Sequence, residues 1–91
     1  MATLIKSDGT QEPYPEPKNG SNYSLEELQT AIGGYIQVVE LPSGDLLVCD
    51  EEGKLKGRPV NWQATEITRE VLSAYDVMVG DVLQIGPEQI K

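Results

Sequence analysis

The sequence contains no histidine, which removes the commonest general base of enzymes and the commonest protein ligand of transition metals. Its single cysteine, Cys49, lies in an apolar run, and the chain has no imidazole to activate its thiol. We interpret Cys49 as a small core residue and not as a nucleophile. These absences favour a protein that acts by binding and not as an enzyme, without a cofactor.

Long apolar runs are also absent. No stretch approaches the roughly 20 apolar residues that a helix needs to cross a bilayer, and residues 1–8 lack the apolar core of a signal peptide. Small secreted domains usually carry several cysteines in disulfides, whereas this chain has only one. We therefore expect a cytoplasmic protein that does not contact a membrane.

Basic residues are scarce: 7 lysines and arginines stand against 15 aspartates and glutamates, so the formal net charge is −8. A field of this sign repels phosphate backbones, and direct nucleic-acid binding is not expected. The bases are nevertheless clustered, with Lys54, Lys56, Arg58 and Arg69 close together in the sequence. The cluster either forms a local anion site or consists of solvated side chains after a turn.

The length of 91 residues predicts one domain, residues 1–91, of which 38% is hydrophobic. A domain of this size buries only about 60–65% of its unfolded surface and is marginally stable alone. Because oligomerisation would add buried area, we expect a homo-oligomer.

The first helix has the strongest signals. Ser24 and Glu27 have the spacing of a capping box, and Gly33 suits the left-handed end of a helix, so the helix should span residues 25–32. A second helix, with Asn61 as its N-cap, is predicted to reach about residue 72 from the helical spacing of its apolar residues.

The remaining segments predict strands and loops. β-Branched and apolar runs favour strands at 3–6, 35–41, 46–49, 54–56 and 82–85. Residues 77–79 either pair with the last strand in a hairpin or lead to it through a loop. The proline-containing segment 10–22 is predicted as a loop and residues 86–91 as a frayed tail. The fold class is α+β, with two helices packed on a small, mainly antiparallel sheet.

Residues 54–63 combine cations, amide side chains and the only tryptophan near a helix start. A guanidinium there could grip a phosphate, and an aromatic ring could stack on a base. The candidate ligand-binding residues are Arg58, Asn61, Trp62, Lys54 and Tyr35. The alternative is structural: Asn61 caps the second helix, Trp62 fills the edge of the core, and the cations are solvated.

The acidic run Asp50-Glu51-Glu52 could coordinate a divalent cation. It lacks the alternating spacing of a calcium loop, and the following Gly53 explains it as a turn. We therefore expect no metal site.

Two runs resemble a known family: Ile32-Gly33-Gly34-Tyr35-Ile36 and Asp50-Glu51-Glu52-Gly53-Lys54-Leu55. Over residues 24–85 the chain is similar to small phage and mobile-element proteins classed as domain of unknown function DUF3846. The resemblance implies an accessory protein in the host bacterial cytoplasm. It implies no binding residues, because no site is assigned to the family.

Two functions follow as hypotheses. The first is a non-catalytic protein that sequesters a nucleotide-derived immune signal, such as an ADP-ribose derivative or a cyclic nucleotide. The alternative is an acidic protein–protein inhibitor or adaptor that acts on a host defence or nucleic-acid enzyme. A hydrolase that uses carboxylates and a metal is the least favoured possibility.

Overall fold

The computed structural model describes residues 2–72 and 77–90, which form a five-stranded sheet with two α-helices. The strands are β1 (Ala2–Ile5), β2 (Gln11–Tyr14), β3 (Ile36–Glu40), β4 (Leu46–Asp50) and β5 (Val82–Ile85). The helices are α1 (Leu25–Ile32), α2 (Trp62–Ile67) and a short 3₁₀-helix (Pro87–Gln89). This confirms the α+β fold class. No helix in the described part of the chain has the length and apolarity needed to span a bilayer.

The sheet joins the two ends of the chain. Its strand order is β2-β1-β5-β4-β3, and every neighbouring pair is antiparallel. β2 and β3 are therefore the two edge strands, whereas β4 and β5 lie inside the sheet.

Strand β4 separates two hydrophobic cores. All five of its residues are buried, as its continuous apolar run predicts. Leu46 and Val48 belong to the core that includes α1, while Leu47 and Cys49 belong to the core that includes Ala64 of α2. Because successive side chains of a strand point to opposite faces, the two helices cover opposite sides of the sheet.

Helix α1 has the predicted bounds and caps. Glu27 N–H donates to the Ser24 hydroxyl at 3.2 Å, and Ser24 N–H donates to the Glu27 carboxylate at 3.1 Å. Gly33 adopts φ 87°, and its N–H bonds to the Gln29 carbonyl at 2.7 Å. Strands β1, β3 and β4 differ from their predicted bounds by no more than one residue at each end.

The loop prediction for residues 10–22 is wrong in part, because Gln11–Tyr14 form strand β2 against β1. Pro13 is compatible with this strand because β2 has a neighbour on one side only, so a missing N–H is tolerated. The prolines of this segment therefore led to the prediction of a loop where an edge strand forms.

The predicted fraying of residues 86–91 is also wrong for Pro87–Ile90. Gln89 is buried, its backbone carbonyl accepts a bond from Tyr23 N–H at 2.6 Å, and Ile90 forms a β-bridge with Tyr23. These contacts fasten the end of the chain beside the start of α1.

Two further predictions fail. Residues 54–56 form a turn and not a strand, and α2 ends at Ile67 instead of continuing to residue 72. The hydroxyl of Thr68, which follows α2, donates to the Ala64 carbonyl at 3.0 Å, so a side chain helps to close the helix. The described residues 77–79 do not pair with β5 in a hairpin: Val79 makes a single bridge with Val60, and β5 is one final strand.

Asn61 ties α2 to the sheet. It is fully buried, and its side-chain oxygen accepts Ala64 N–H at 3.0 Å, which confirms it as the N-cap. Its amide group donates to the carbonyls of Ile5 and Gly80 at 2.8 and 2.9 Å. One side chain thus joins the end of β1, the start of α2 and the turn before β5.

We predict that Asn61→Ala lowers the free energy of unfolding by about 2–4 kcal/mol, because it leaves three buried backbone groups without a partner. Asn61→Asp should also destabilise the fold, since a carboxylate cannot donate to the two carbonyls. Urea denaturation measures both effects. The exposed Gln63→Ala is the matched control, and equal stability of all three variants would contradict this role for Asn61.

Candidate functional site

Two cations of the basic cluster, Lys56 and Arg58, converge on a buried carboxylate. Asp50 ends β4, and its side chain is only 1% exposed. Its Oδ2 accepts Lys56 Nζ at 2.9 Å and Arg58 Nε at 2.8 Å, and its Oδ1 accepts Glu52 N–H at 2.8 Å. The turn after β4 therefore folds back so that its basic residues neutralise the end of the strand that precedes it.

These bonds decide the charge of Asp50. Burial opposes ionisation, but hydrogen bonds from Lys56, from the Glu52 backbone and from Arg58 outweigh it and hold the pKa of Asp50 below its ordinary value. At neutral pH the carboxylate is ionised. Its face is occupied by cations of the chain itself, so Asp50 is not available to a metal.

Arg58 also reaches the end of α1. Its Nη2 donates to the Gly33 carbonyl at 3.3 Å, and a Cβ built on Gly33 would lie only 3.1 Å from the same nitrogen. A Cβ on the adjacent Gly34 would collide with Lys56 Nζ. The Gly33-Gly34 pair thus allows both cations to approach the turn between α1 and β3.

The residues proposed as a single site are only partly brought together. Tyr35 is 65% exposed and lines a shallow groove of about 220 Å³ with Lys56, Glu52, Gly34 and Gln29. Lys54 lines a different pocket of similar volume beside Cys49. The sequence interpretation missed Lys56 as the cation next to Tyr35, although it belongs to the same basic cluster.

Two other candidates are not placed as the site hypothesis requires. Asn61 is buried with both amide hydrogens bonded to carbonyls, so its structural role leaves no donor for a ligand. Trp62 is 67% exposed, which contradicts the alternative that it fills the edge of the core. Trp62 does not line the groove of Tyr35 and Lys56.

A larger pocket, about 370 Å³, was not predicted from the sequence. It lies between the segment after β2 and the start of α1, and its charged lining is Glu16, Glu26, Glu27 and Lys18. Backbone N–H groups of Ser24 and Lys18 lower the pKa of Glu27, so this carboxylate stays ionised at neutral pH. The surplus of carboxylates makes the pocket unfavourable for an anion.

The thiol of Cys49 is not activated. It is buried, and this burial together with the neighbouring charge of Asp50 raises its pKa to about 11. At neutral pH almost none of it is thiolate, which agrees with its interpretation as a core residue. Within residues 2–72 and 77–90, no three side chains of the metal-binding types come together in a metal-like cluster.

We predict that Asp50→Asn lowers the free energy of unfolding by about 1–3 kcal/mol at pH 7. The loss is smaller than for a fully buried ion pair, because Lys56 and Arg58 are each about one-third exposed and can be hydrated instead. A lowered pKa contributes stability above the ordinary carboxyl range, and this contribution is lost as the pH falls through the folded-state pKa. The difference between variant and parent should therefore shrink towards pH 3 in urea titrations.

Glu51→Gln is the control for this experiment, because it removes the same charge from an exposed neighbour. A Glu51→Gln variant as unstable as Asp50→Asn would show that general charge, and not the buried contact, is responsible. A difference that stays constant from pH 7 to pH 3 would equally contradict the argument.

The comparisons with known proteins agree with the sequence resemblance. A family model described as a domain of unknown function, DUF3846, matches residues 1–90. Neither a curated protein nor a solved structure matches the chain. Since the matched residues are nearly the whole sequence, the chain belongs to the DUF3846 family.

Proposed function

We propose that this protein is a non-catalytic binding protein that uses its acidic surface to occupy a basic surface of another protein. The observation that carries the proposal is the distribution of charge. Every described acidic residue except Asp50 is at least partly exposed. The formal net charge of −8 is therefore carried almost entirely by groups that a partner can reach.

Four of the seven basic residues are engaged with acids of the chain, which still leaves acids in an excess of eight. Lys56 and Arg58 pair with Asp50, Arg69 Nη2 lies 2.7 Å from Glu66, and Lys6 Nζ lies 4.0 Å from Glu12. A negative surface of this kind accelerates association with basic surfaces and repels nucleic acid. The surfaces with which enzymes bind nucleic acids are basic, so they are the partner class with matching chemistry.

The setting that we propose is the cytoplasm of a bacterium that carries a phage or a mobile element. There the protein would act as an accessory factor that blocks a host defence or nucleic-acid enzyme. The distribution of surface charge supports the chemistry of the partner, and the setting rests on the family resemblance alone.

The test is a pull-down from a lysate of the organism that encodes the chain. We expect retained proteins that elute as the salt rises from about 0.1 to 0.5 M and that double-stranded DNA displaces, because both compete for the basic surface. Retention that neither salt nor DNA affects, or no retained protein, would contradict the proposal.

A variant with three fewer surface carboxylates tests whether the negative charge is responsible for the binding. Glu26, Glu51 and Glu70 are exposed, and no ion pair or side-chain hydrogen bond is recorded for them among the described residues. Changing all three to glutamine should keep the fold and weaken partner binding by about tenfold at low salt. Thr30→Ala, Gln63→Ala and Ser21→Ala combined are a control at exposed, uncharged positions, which should bind like the parent.

A second candidate function is favoured by the groove of Tyr35 and Lys56. An exposed ring beside an ammonium group offers stacking and a charge to a nucleotide-like anion, such as an ADP-ribose derivative or a cyclic nucleotide. Of the other candidate residues, Lys54 and Trp62 do not line this groove, and Arg58 is bonded to Asp50 and to the Gly33 carbonyl. Glu52 lines the same groove and Asp50 engages the ammonium of Lys56, so the local positive charge is small.

Calorimetry against ADP-ribose and a cyclic dinucleotide tests this candidate. If either binds in the groove, Tyr35→Ala should weaken binding at least about fivefold, the lower end of what stacking on an aromatic ring contributes. Trp62→Ala, an exposed aromatic residue outside the groove, is the control for ring removal. No heat with either compound, or equal affinity in Tyr35→Ala, would exclude the groove as a nucleotide site.

A further inference from the structure

Strand β3 leaves one side of its backbone open. Tyr35 and Leu41, which flank the strand, both bond towards β4 at 2.9 Å. Backbone groups in an antiparallel pair point alternately towards and away from the neighbour. The N–H and C=O groups of Ile36, Val38 and Glu40 therefore point away from the sheet, and within the described residues no recorded hydrogen bond occupies them.

The two edges of the sheet differ in protection. Edge strand β2 contains Pro13, which cannot donate to an added strand, and the adjacent Glu12 is charged. Strand β3 contains no proline, its one charged residue, Glu40, is at its end, and its central residue, Val38, is 39% exposed. Natural proteins usually block an exposed edge, so an open edge with an apolar centre indicates a strand that pairs with another chain.

We propose that β3 pairs antiparallel with β3 of a second copy of this chain, centred on Val38. In that register Val38 lies opposite Val38 of the other copy, and Ile36 lies opposite Glu40. All three residues have outward backbone groups, so the contact forms about six backbone hydrogen bonds and joins two five-stranded sheets. The proposal does not depend on the proposed function.

The sequence of β3 favours a second copy as the occupant. A two-fold axis requires a surface that is complementary to itself, and a strand centred on valine places no like charges directly opposite one another. The exposed Tyr35 beside the strand adds apolar surface at each end of the contact. The main opposing term is the repulsion between two chains of charge −8.

This balance gives a distinctive salt dependence. Salt screens the repulsion and leaves the backbone bonds and apolar contact largely unchanged, so dimerisation should strengthen as the salt rises from about 0.05 to 0.5 M. Sedimentation velocity over a range of protein concentrations measures the dimer fraction. A chain that stays monomeric at about 1 mM in both salts would overturn the proposal, as would a dimer that salt dissociates.

Charge variants at the centre of the strand test the register. Val38→Lys and Val38→Glu each place like charges across the axis, so each variant alone should shift the dissociation constant by at least about tenfold towards monomer. Mixed in equal amounts, the two variants should associate, because opposite charges then meet. Dimerisation of both separate variants at parental affinity, or no association of folded variants in the mixture, would overturn the register.

Gln11→Lys on the opposite edge is the control, since it changes the net charge by the same amount as Val38→Lys. It should dimerise at least as well as the parent, because it lowers the repulsion between copies. Circular dichroism checks that every variant is folded. If Gln11→Lys became monomeric while Val38→Lys dimerised, the contact would lie at β2 and the proposal would be wrong.

Discussion

The buried carboxylate of Asp50 is the constraint on which the candidate site depends. A charge at the end of the fully buried strand β4 is stable only with partners, and the chain supplies Lys56 and Arg58 from the following turn. This requirement folds the basic segment back against the turn between α1 and β3. The same contacts that stabilise the strand end therefore use the positive groups that a small anion would need.

Local signals in the sequence were sufficient for much of the fold. The capping box at Ser24, the end of α1 at Gly33 and the double burial of β4 are short-range patterns, and each was predicted correctly. Elements held by distant contacts were missed: β2 depends on pairing with β1, and the 3₁₀-helix depends on contacts with Tyr23. No local sequence pattern indicates such partners. The prolines of residues 10–22 therefore led to the prediction of a loop, and the terminal position of residues 86–91 led to the prediction of a frayed tail.

The candidate site shows the same limit of sequence-based prediction. The sequence pattern of a basic cluster is the same whether the cluster binds a ligand or neutralises a buried acid. Only the position of Asp50 in the folded chain distinguishes the two cases. Asn61 is a second example, because an asparagine at a helix start serves equally as a cap or as a ligand contact. Here its amide is used by backbone groups from two distant segments.

The surface charge links the two proposed associations. Two copies joined through β3 bring their acidic surfaces together, which costs electrostatic free energy. A basic partner bound to either copy would neutralise part of that charge and so reduce the cost of dimerisation. By linkage, the dimer would then bind the basic partner more tightly than the monomer does. The net charge that opposes the proposed self-association would thus make it responsive to the proposed partner, and the coupling between the two contacts would be positive.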